Sequence, residues 1–434
     1  MITILLAMSK ALALAQDTDL IPPAPLQDVQ VMEIPPSEPH LNNYGFMIIP
    51  GWNLGMTVDA LGVYDTNPAF LVEPAGDVAQ RYSGSVSLSY LARHTVYQAA
   101  YFPSLTYYRN FTTLNSADQG ISQTLWHEFS PRTDFSWRLD AREYPSWGGS
   151  AFANSSFGSL LMELSGLTAL NLESKVKNAN TDFTLEHRLS HRSHLQVDVS
   201  GGVTKYAHSS SNQFVSLLTA PDSSTWSGQM GISYNYQLNA HRTLGAGIST
   251  SYFLFTLQNY HQMEQAAVFR YSEIFSKNWS YSVSVGPGFR EQQNSSGKIQ
   301  PVLSLNFDLE HKTRKTAFRA SVVNSYQMGL AQGNLTGWVA LLSFEHSVGK
   351  RGFAGVFATY QRSDSAVSVG PLGTGVTQSV APAVDGGLRL SRHIVLFANY
   401  GVGLQEGVLT QQNKIYRQQF LSGLSFNVDR LFPR

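Results

Sequence analysis

Apolar and polar residues alternate with period two from about Leu54 onward, in runs of about 11–15 residues, and this rhythm limits the available folds more than any other feature. In Trp226–Leu238 the even positions (Trp226, Met230, Ile232, Tyr234, Tyr236, Leu238) are apolar or Gly, and the odd ones (Ser227, Gln229, Ser233, Asn235, Gln237) are polar or Gly. Trp279, Tyr281, Val283, Val285 and Phe289 alternate in the same way with Ser280, Ser282, Ser284, Gly286 and Arg290. So do Leu303, Leu305, Phe307 and Leu309 with Ser304, Asn306, Asp308 and Glu310. Successive side chains of a strand point to opposite faces, so each run builds one greasy and one wet face. Strands of soluble proteins average about 5–6 residues, whereas a tilted membrane strand needs about 9–11. The runs here match the second class.

Composition agrees. Only 14% of the 434 residues are charged, against about 25% in ordinary soluble domains, while 43% are hydrophobic and 12% aromatic. Mean hydropathy is nevertheless −0.14, and no run of about 18 apolar residues occurs, which excludes a helical membrane protein. Thirty basic residues balance thirty acidic ones, without the basic excess of a nucleic-acid binder. The absence of cysteine excludes a disulfide scaffold, Cys-ligated metal and thiol catalysis. A transmembrane antiparallel meander β-barrel remains, an all-β fold.

Short polar segments set a second rhythm: Ala92-Arg93-His94, Ser130-Pro131-Arg132, Ser190-His191-Arg192, Asn239–Arg242, Ser276-Lys277-Asn278, Lys312–Lys315, Gly349-Lys350-Arg351 and Ser391-Arg392-His393. Longer connections rich in Ser, Asn, Gly and Thr lie between them, as in His208–Ser224 and Ser363–Thr377. Tight turns at one end and long loops at the other are the periplasmic and extracellular ends of an outer-membrane barrel. Eight tight hairpins, one ascending strand at Leu54–Tyr64 and a final strand at Tyr416–Val428 give about 18 strands, or 16 if two weak segments are loops. Aromatics beside the tight turns (Phe129, Phe135, Tyr236, Phe275, Trp279, Phe344, Phe353) read as an interfacial belt. Residues 1–15 read as a signal peptide ending in Ala13-Leu14-Ala15, residues 16–53 as a Pro-rich periplasmic linker, and 54–434 as the barrel.

Ser422-Gly423-Leu424-Ser425-Phe426-Asn427-Val428 resembles the polar-Gly-x-x-apolar-x-apolar signal that the outer-membrane assembly machinery reads near a C-terminus, with Gly423, Leu424, Phe426 and Val428 as its elements. Tyr64-Asp65-Thr66-Asn67 is similar to the Tyr-Asp-x-Asn segment after the first strand of a loosely defined group of porin-type outer-membrane β-barrels, several of them associated with exopolysaccharide loci. The architectural resemblance spans nearly the whole barrel. It implies a porin-like protein in the bacterial outer membrane whose partners are lipid and the assembly machinery, and it carries no substrate.

Function then rests on the face turned from lipid. A charge on the lipid face costs about 2–4 kcal/mol per Arg or Lys at the midplane, which puts charged strand residues inside. Arg138, Asp140 and Arg142 fall together on one strand; Glu186, Arg188, Asp198, Arg270, Arg290, Asp308, Glu310, Arg319 and Arg417 fall on others. Either they line a water-filled pore or they pair and fill it. The small excess of Arg among them predicts a mild anion preference. The apolar connection Trp147–Asn180 is expected to fold over or into the mouth, or to pack on the rim or against another subunit of a homo-oligomer. Most His residues (His94, His187, His191, His194, His241, His311, His346, His393) lie by the tight turns, the wrong end for the catalytic rim of an outer-membrane hydrolase. No metal-binding, nucleophile-elbow or phosphate-loop motif occurs, so no enzyme, cofactor or metal is implied. Two readings stay open: a channel for passive diffusion or export of small hydrophilic or saccharide solutes, and a closed structural or adhesive barrel binding an envelope partner through its loops.

Overall fold

The computed structural model describes residues 46–49, 51–67, 75–145, 175–207, 224–255, 260–292, 299–329, 333–349, 351–365, 376–391, 393–406 and 414–427. Its strands are β1 (Phe46–Ile49), β2 (Trp52–Asp65), β3 (Asp77–Ala92), β4 (Thr95–Tyr108), β5 (Ser116–Ser130), β6 (Thr133–Pro145) and β7 (Lys175–Arg188). They continue as β8 (Ser193–Ala207), β9 (Ser224–Asn239), β10 (Arg242–Phe255), β11 (Tyr260–Ser276), β12 (Trp279–Gln292) and β13 (Ile299–Lys312). The last are β14 (Thr316–Gly329), β15 (Gly333–Val348), β16 (Gly352–Ser365), β17 (Val376–Arg389), β18 (Ile394–Glu406) and β19 (Lys414–Asn427). From β2 to β19 each strand pairs antiparallel with the next, and β19 returns to β2 through Gln419↔Asp65 to Asn427↔Thr57. The result is a closed barrel of 18 strands, as the turn count requires; the 16-strand alternative falls.

Two boundaries differ from the sequence reading. The chain becomes regular before Leu54: β1 pairs Phe46↔Leu54 and Met47↔Asn53, continuing the edge of β2 beyond the point where β19 leaves it at Thr57. Gly51, at φ 86°, makes the reversal, a backbone region that a side chain disfavours. Lys175–Asn180, expected in the long apolar loop, belongs to β7, where Val176, Asn178 and Asn180 face inward against Lys177 and Ala179 outward. Here the polar and apolar residues do not sort by face, so alternation is invisible. The remainder of that loop, the signal segment and most of the linker lie outside the described residues.

Six of the eight tight turns share one device. The residue opening the turn lends a side-chain oxygen to the N–H two positions on: Ser130 to Arg132, Ser190 to Arg192, Asn239 to His241, Ser276 to Asn278, Thr313 to Lys315 and Ser391 to His393, at 2.8–3.4 Å. This is the Asx or Ser/Thr turn that these residues favour. A turn carbonyl in turn accepts from the next hairpin: His94 from Glu128, Arg132 from Arg188, Arg192 from Gln237, His241 from Ile274, Asn278 from Lys312, Lys315 from Ser347 and Arg351 from Arg389.

The outer face is apolar and exposed. On β2 alone Met56, Val58 and Tyr64 are 41%, 40% and 50% accessible, and the pattern repeats around the barrel. So continuous an apolar belt needs lipid against it. Its lower border carries the belt of rings and three Thr–His pairs (Thr95–His127, Thr133–His187, Thr316–His346, 2.9–3.0 Å). Glu273 there accepts from Arg242, Tyr271 and Tyr281.

Candidate pore lining

Strand pairing fixes the direction of every described side chain, because paired residues share a face. The twelve charged residues read from the sequence all occupy the inward register. On β6, Asp140 takes Arg138 at 2.6 Å and Arg142 at 3.6 Å. Arg188 reaches Asp134 (3.3 Å), Arg319 reaches Asp308 (2.9 Å), and Arg290 grips Glu264 at 2.9 and 3.2 Å. Asp198 accepts from Thr184 at 2.7 Å and from Gln196 at 3.0 Å. Glu186 lies opposite Gln196, and Glu310 opposite Arg319. Arg270 lies between Gly245 and Ser284, and its buried Nη2 has no partner among the described residues.

The described inner face holds more charged residues than the twelve from which the anion preference was expected. β2, β3, β5 and β6 add Asp59, Asp65, Asp77, Asp118, Glu128 and Asp134; β7, β11, β15 and β17 add Asp182, Glu264, Glu345 and Asp385. Against these acids stand the further bases Arg81, Lys312 and Arg389. Carboxylates therefore outnumber bases on the described wall. The sequence list missed Glu264 and Asp65, both of which parity along their strands marks as inward once the register is known.

The wall has two sectors. From β5 to β13 it is chiefly hydroxyl, amide and charged, with a recess of about 260 Å3 by the tight turns that includes Gln237, Thr243, Ser272, Ser282 and Asp308. From β14 round to β4 it carries Val323, Val339, Leu341, Phe357, Ala383, Phe397, Leu421, Leu61 and Val63, interspersed with polar residues. Small residues make room on both. At Gly245 a Cβ would stand 2.3 Å from Asn235 Oδ1.

At the long-loop end the inward side chains are buried. Arg417 and Asp65, 2% and 0% exposed, form an ion pair whose Nε–carboxylate contacts are 2.9 and 3.0 Å. Asp65 also accepts from the Asn67 N–H, Asn67 Nδ2 donates to the Tyr416 carbonyl, and the Thr66 N–H donates to the Gln418 carbonyl. Tyr64-Asp65-Thr66-Asn67 thus clasps the first barrel strand to the last. Beside it, Asp77 accepts from the Asn110 and Phe111 N–H groups at 2.8 Å and from Asn110 Nδ2 at 3.0 Å. This holds the helical turn Thr112–Leu114 inward, so that Leu114 (3% exposed) packs on Leu61, Val63, Tyr108, Phe397 and Leu421. The described segment that narrows the mouth is therefore 109–115. Asp77→Ala should release it and raise single-channel conductance at unchanged heat-modifiable gel migration; an unaltered conductance places the segment off the ion path.

Of the C-terminal signal residues, Leu424 and Phe426 face lipid, Gly423 faces inward between Phe397 and Leu61, and Val428 lies outside the described residues. The histidines named from the sequence gather at the tight-turn end, as the strand bounds place them.

A closed antiparallel barrel with a lipid-exposed apolar belt and a polar inner face is a transmembrane β-barrel of the outer-membrane type. No protein-family model matches the chain, and no curated protein matches it. Among solved structures it is similar to OccK2 (OpdF) of Pseudomonas aeruginosa (TM-score 0.45, 9% identity, 88% of this chain and 99% of that one). It is also similar to the FrpB iron transporter of Neisseria meningitidis (TM-score 0.43, 8% identity, 86% and 82%) and to OpdK of P. aeruginosa (TM-score 0.42, 10% identity, 86% and 99%).

Proposed function

We propose that this barrel is a passive outer-membrane channel for small hydrophilic or saccharide solutes, moving inward or outward down their gradients. The observation that carries this reading is the inner face itself. Eighteen strands enclose a lumen of the size class that holds water, and the β5–β13 sector offers hydroxyls, amides and carboxylates in place of a solute's hydration shell. The excess of inward carboxylates gives the channel a mild cation preference.

Single-channel recording in planar bilayers with a salt gradient tests both points. Steady conductance with a reversal potential of cation-selective sign is expected. Silence from a protein that gel migration identifies as a folded barrel favours the closed, partner-binding alternative, and an anion-selective sign overturns the charge assignment. Glu345 and Asp385 flank Gly355 on adjacent strands of the wall. Glu345→Gln with Asp385→Asn should remove roughly half of the reversal-potential shift and leave conductance in symmetric concentrated salt nearly unchanged; an unmoved potential removes this pair from the selectivity-setting wall.

A further inference from the structure

One seam of the barrel is incomplete. β13 pairs with β12 along its whole length, up to Glu291↔Ile299, and β14 pairs with β15 up to Gly329↔Gly333. Between β13 and β14 the ladder runs only from Lys312↔Ala317 to Leu305↔Asn324. Ile299–Ser304 and Ser325–Gly329 are therefore regular strand, each paired on its far side and unpaired with each other. No other described strand takes these edges.

The place of the gap is informative. Leu303 is level with Pro287 and Ile299 with Glu291, so the opening runs from the apolar belt up to a charged residue at its upper border. Leu303 and Ile299 beside it are 55% and 66% exposed, among the most exposed apolar residues of the outer face. An open strand edge in hydrocarbon is costly because no water reaches its peptide groups. At its lower limit the gap ends in a side chain: Asn324 Nδ2 donates to the Leu303 carbonyl at 3.3 Å, covering the first carbonyl the ladder leaves free. Inside, the seam falls where the two sectors of the wall meet. β13 carries Ser304, Asn306, Asp308 and Glu310, whereas β14 opens the arc that runs through Val323, Val339, Leu341 and Phe357.

We propose that the upper β13–β14 seam is a lateral portal joining the lumen to the lipid of the long-loop side, and that the solutes using it are amphiphiles with a polar head and an alkyl chain. The head keeps to the hydroxyl and carboxylate sector, the chain lies on the apolar arc, and the open edges supply peptide groups to the head as it crosses. The inner end of this route rests on the open-channel reading above; the outer end does not.

The chain has no cysteine, so single thiols report cleanly. Val302 faces inward on the open stretch of β13, Leu303 faces lipid beside it, and Ser200 faces inward on β8, five strands away. Val302→Cys, Leu303→Cys and Ser200→Cys proteins in phosphatidylcholine vesicles are treated with a long-chain N-alkyl maleimide confined to the bilayer. With a portal, the thiol at 302 reacts nearly as fast as that at 303, and the thiol at 200 reacts roughly tenfold more slowly. Equal slowness at 302 and 200 overturns the portal. No current is needed, so a silent barrel would remove the channel reading without touching this one.

A second measurement uses Ser304→Cys with Ser325→Cys, the sequence positions just past the last rung, so that an oxidised pair, verified by its loss of free thiol, ties the two edges together. Dodecyl maltoside below its micellar concentration should block the ion current in discrete events. The disulfide should cut their frequency by roughly tenfold, and reductant should restore it. Blockade that ignores the disulfide counts against the portal.

Discussion

Asp65→Ala leaves the buried Arg417 guanidinium without its carboxylate and is expected to destabilise the barrel by about 3–5 kcal/mol, the cost of breaking a buried pair from one side. The loss falls on the β19–β2 seam, whose ladder is among the shorter ones, nine residue pairs from Gln419↔Asp65 to Asn427↔Thr57. In detergent, the urea concentration or temperature at which the fast-migrating folded band disappears should drop sharply. Arg417→Ala should do the same, whereas Asp65→Leu combined with Arg417→Met should recover most of the loss, since apolar side chains of similar volume often replace a buried pair at little cost. A midpoint unchanged by either single substitution would show that the clasp carries no stability.

Gly423→Val should act on the same seam by sterics. A Cβ at Gly423 would stand 2.3 Å from the Ala60 carbonyl oxygen and 2.6 Å from Leu61 Cδ2. The first of these is backbone in the neighbouring strand and cannot swing away. The last strand then cannot lie against β2 in register, and the folded fraction should fall by roughly tenfold or more. Refolding into detergent separates this from a failure of recognition. A variant that folds normally in the tube and fails only in cells would assign Gly423 to reading by the assembly machinery, and one that fails in both assigns it to closure.

Alternation made the barrel readable. A strand between lipid and water must separate its side chains by face, and β9, β12 and β13 do so without exception over most of their length. β7 does not: Lys177 stands outward above the apolar belt and Asn178 inward, so its first six residues merged with the loop before it. The inward direction of Arg138, Arg290 or Arg417 followed from the same rule. Their partners did not, because Asp65 and Arg417 are 352 positions apart and nothing local marks them as neighbours. The set of inward charges counted from the sequence was incomplete for a related reason. Glu345 and Asp385 sit where Gly355, Gly386 and Gly387 blur the alternation, and an acid at such a position has no visible face until pairing supplies one. The β13–β14 seam left no mark at all: Ile299–Ser304 reads as an ordinary strand, and only the absence of a ladder distinguishes it.

The tight-turn carbonyls that accept from the next hairpin recur from β4 to β17 at 2.7–2.9 Å. Together they act as a hoop. Each turn is fastened to its successor through backbone atoms, so the girth at that end is set independently of side-chain identity and loop content. Among the described residues the opposite rim carries two bonds of this kind, Thr66 N–H to the Gln418 carbonyl and Arg109 N–H to the Val78 carbonyl, and one of its seams stands open. The tight-turn end is thus braced at seven of its turns, against two such bonds among the described residues of the other end. Connections at the long-loop end can therefore change length while the lower aperture keeps its width, and changes in what the protein admits should arise at that end first.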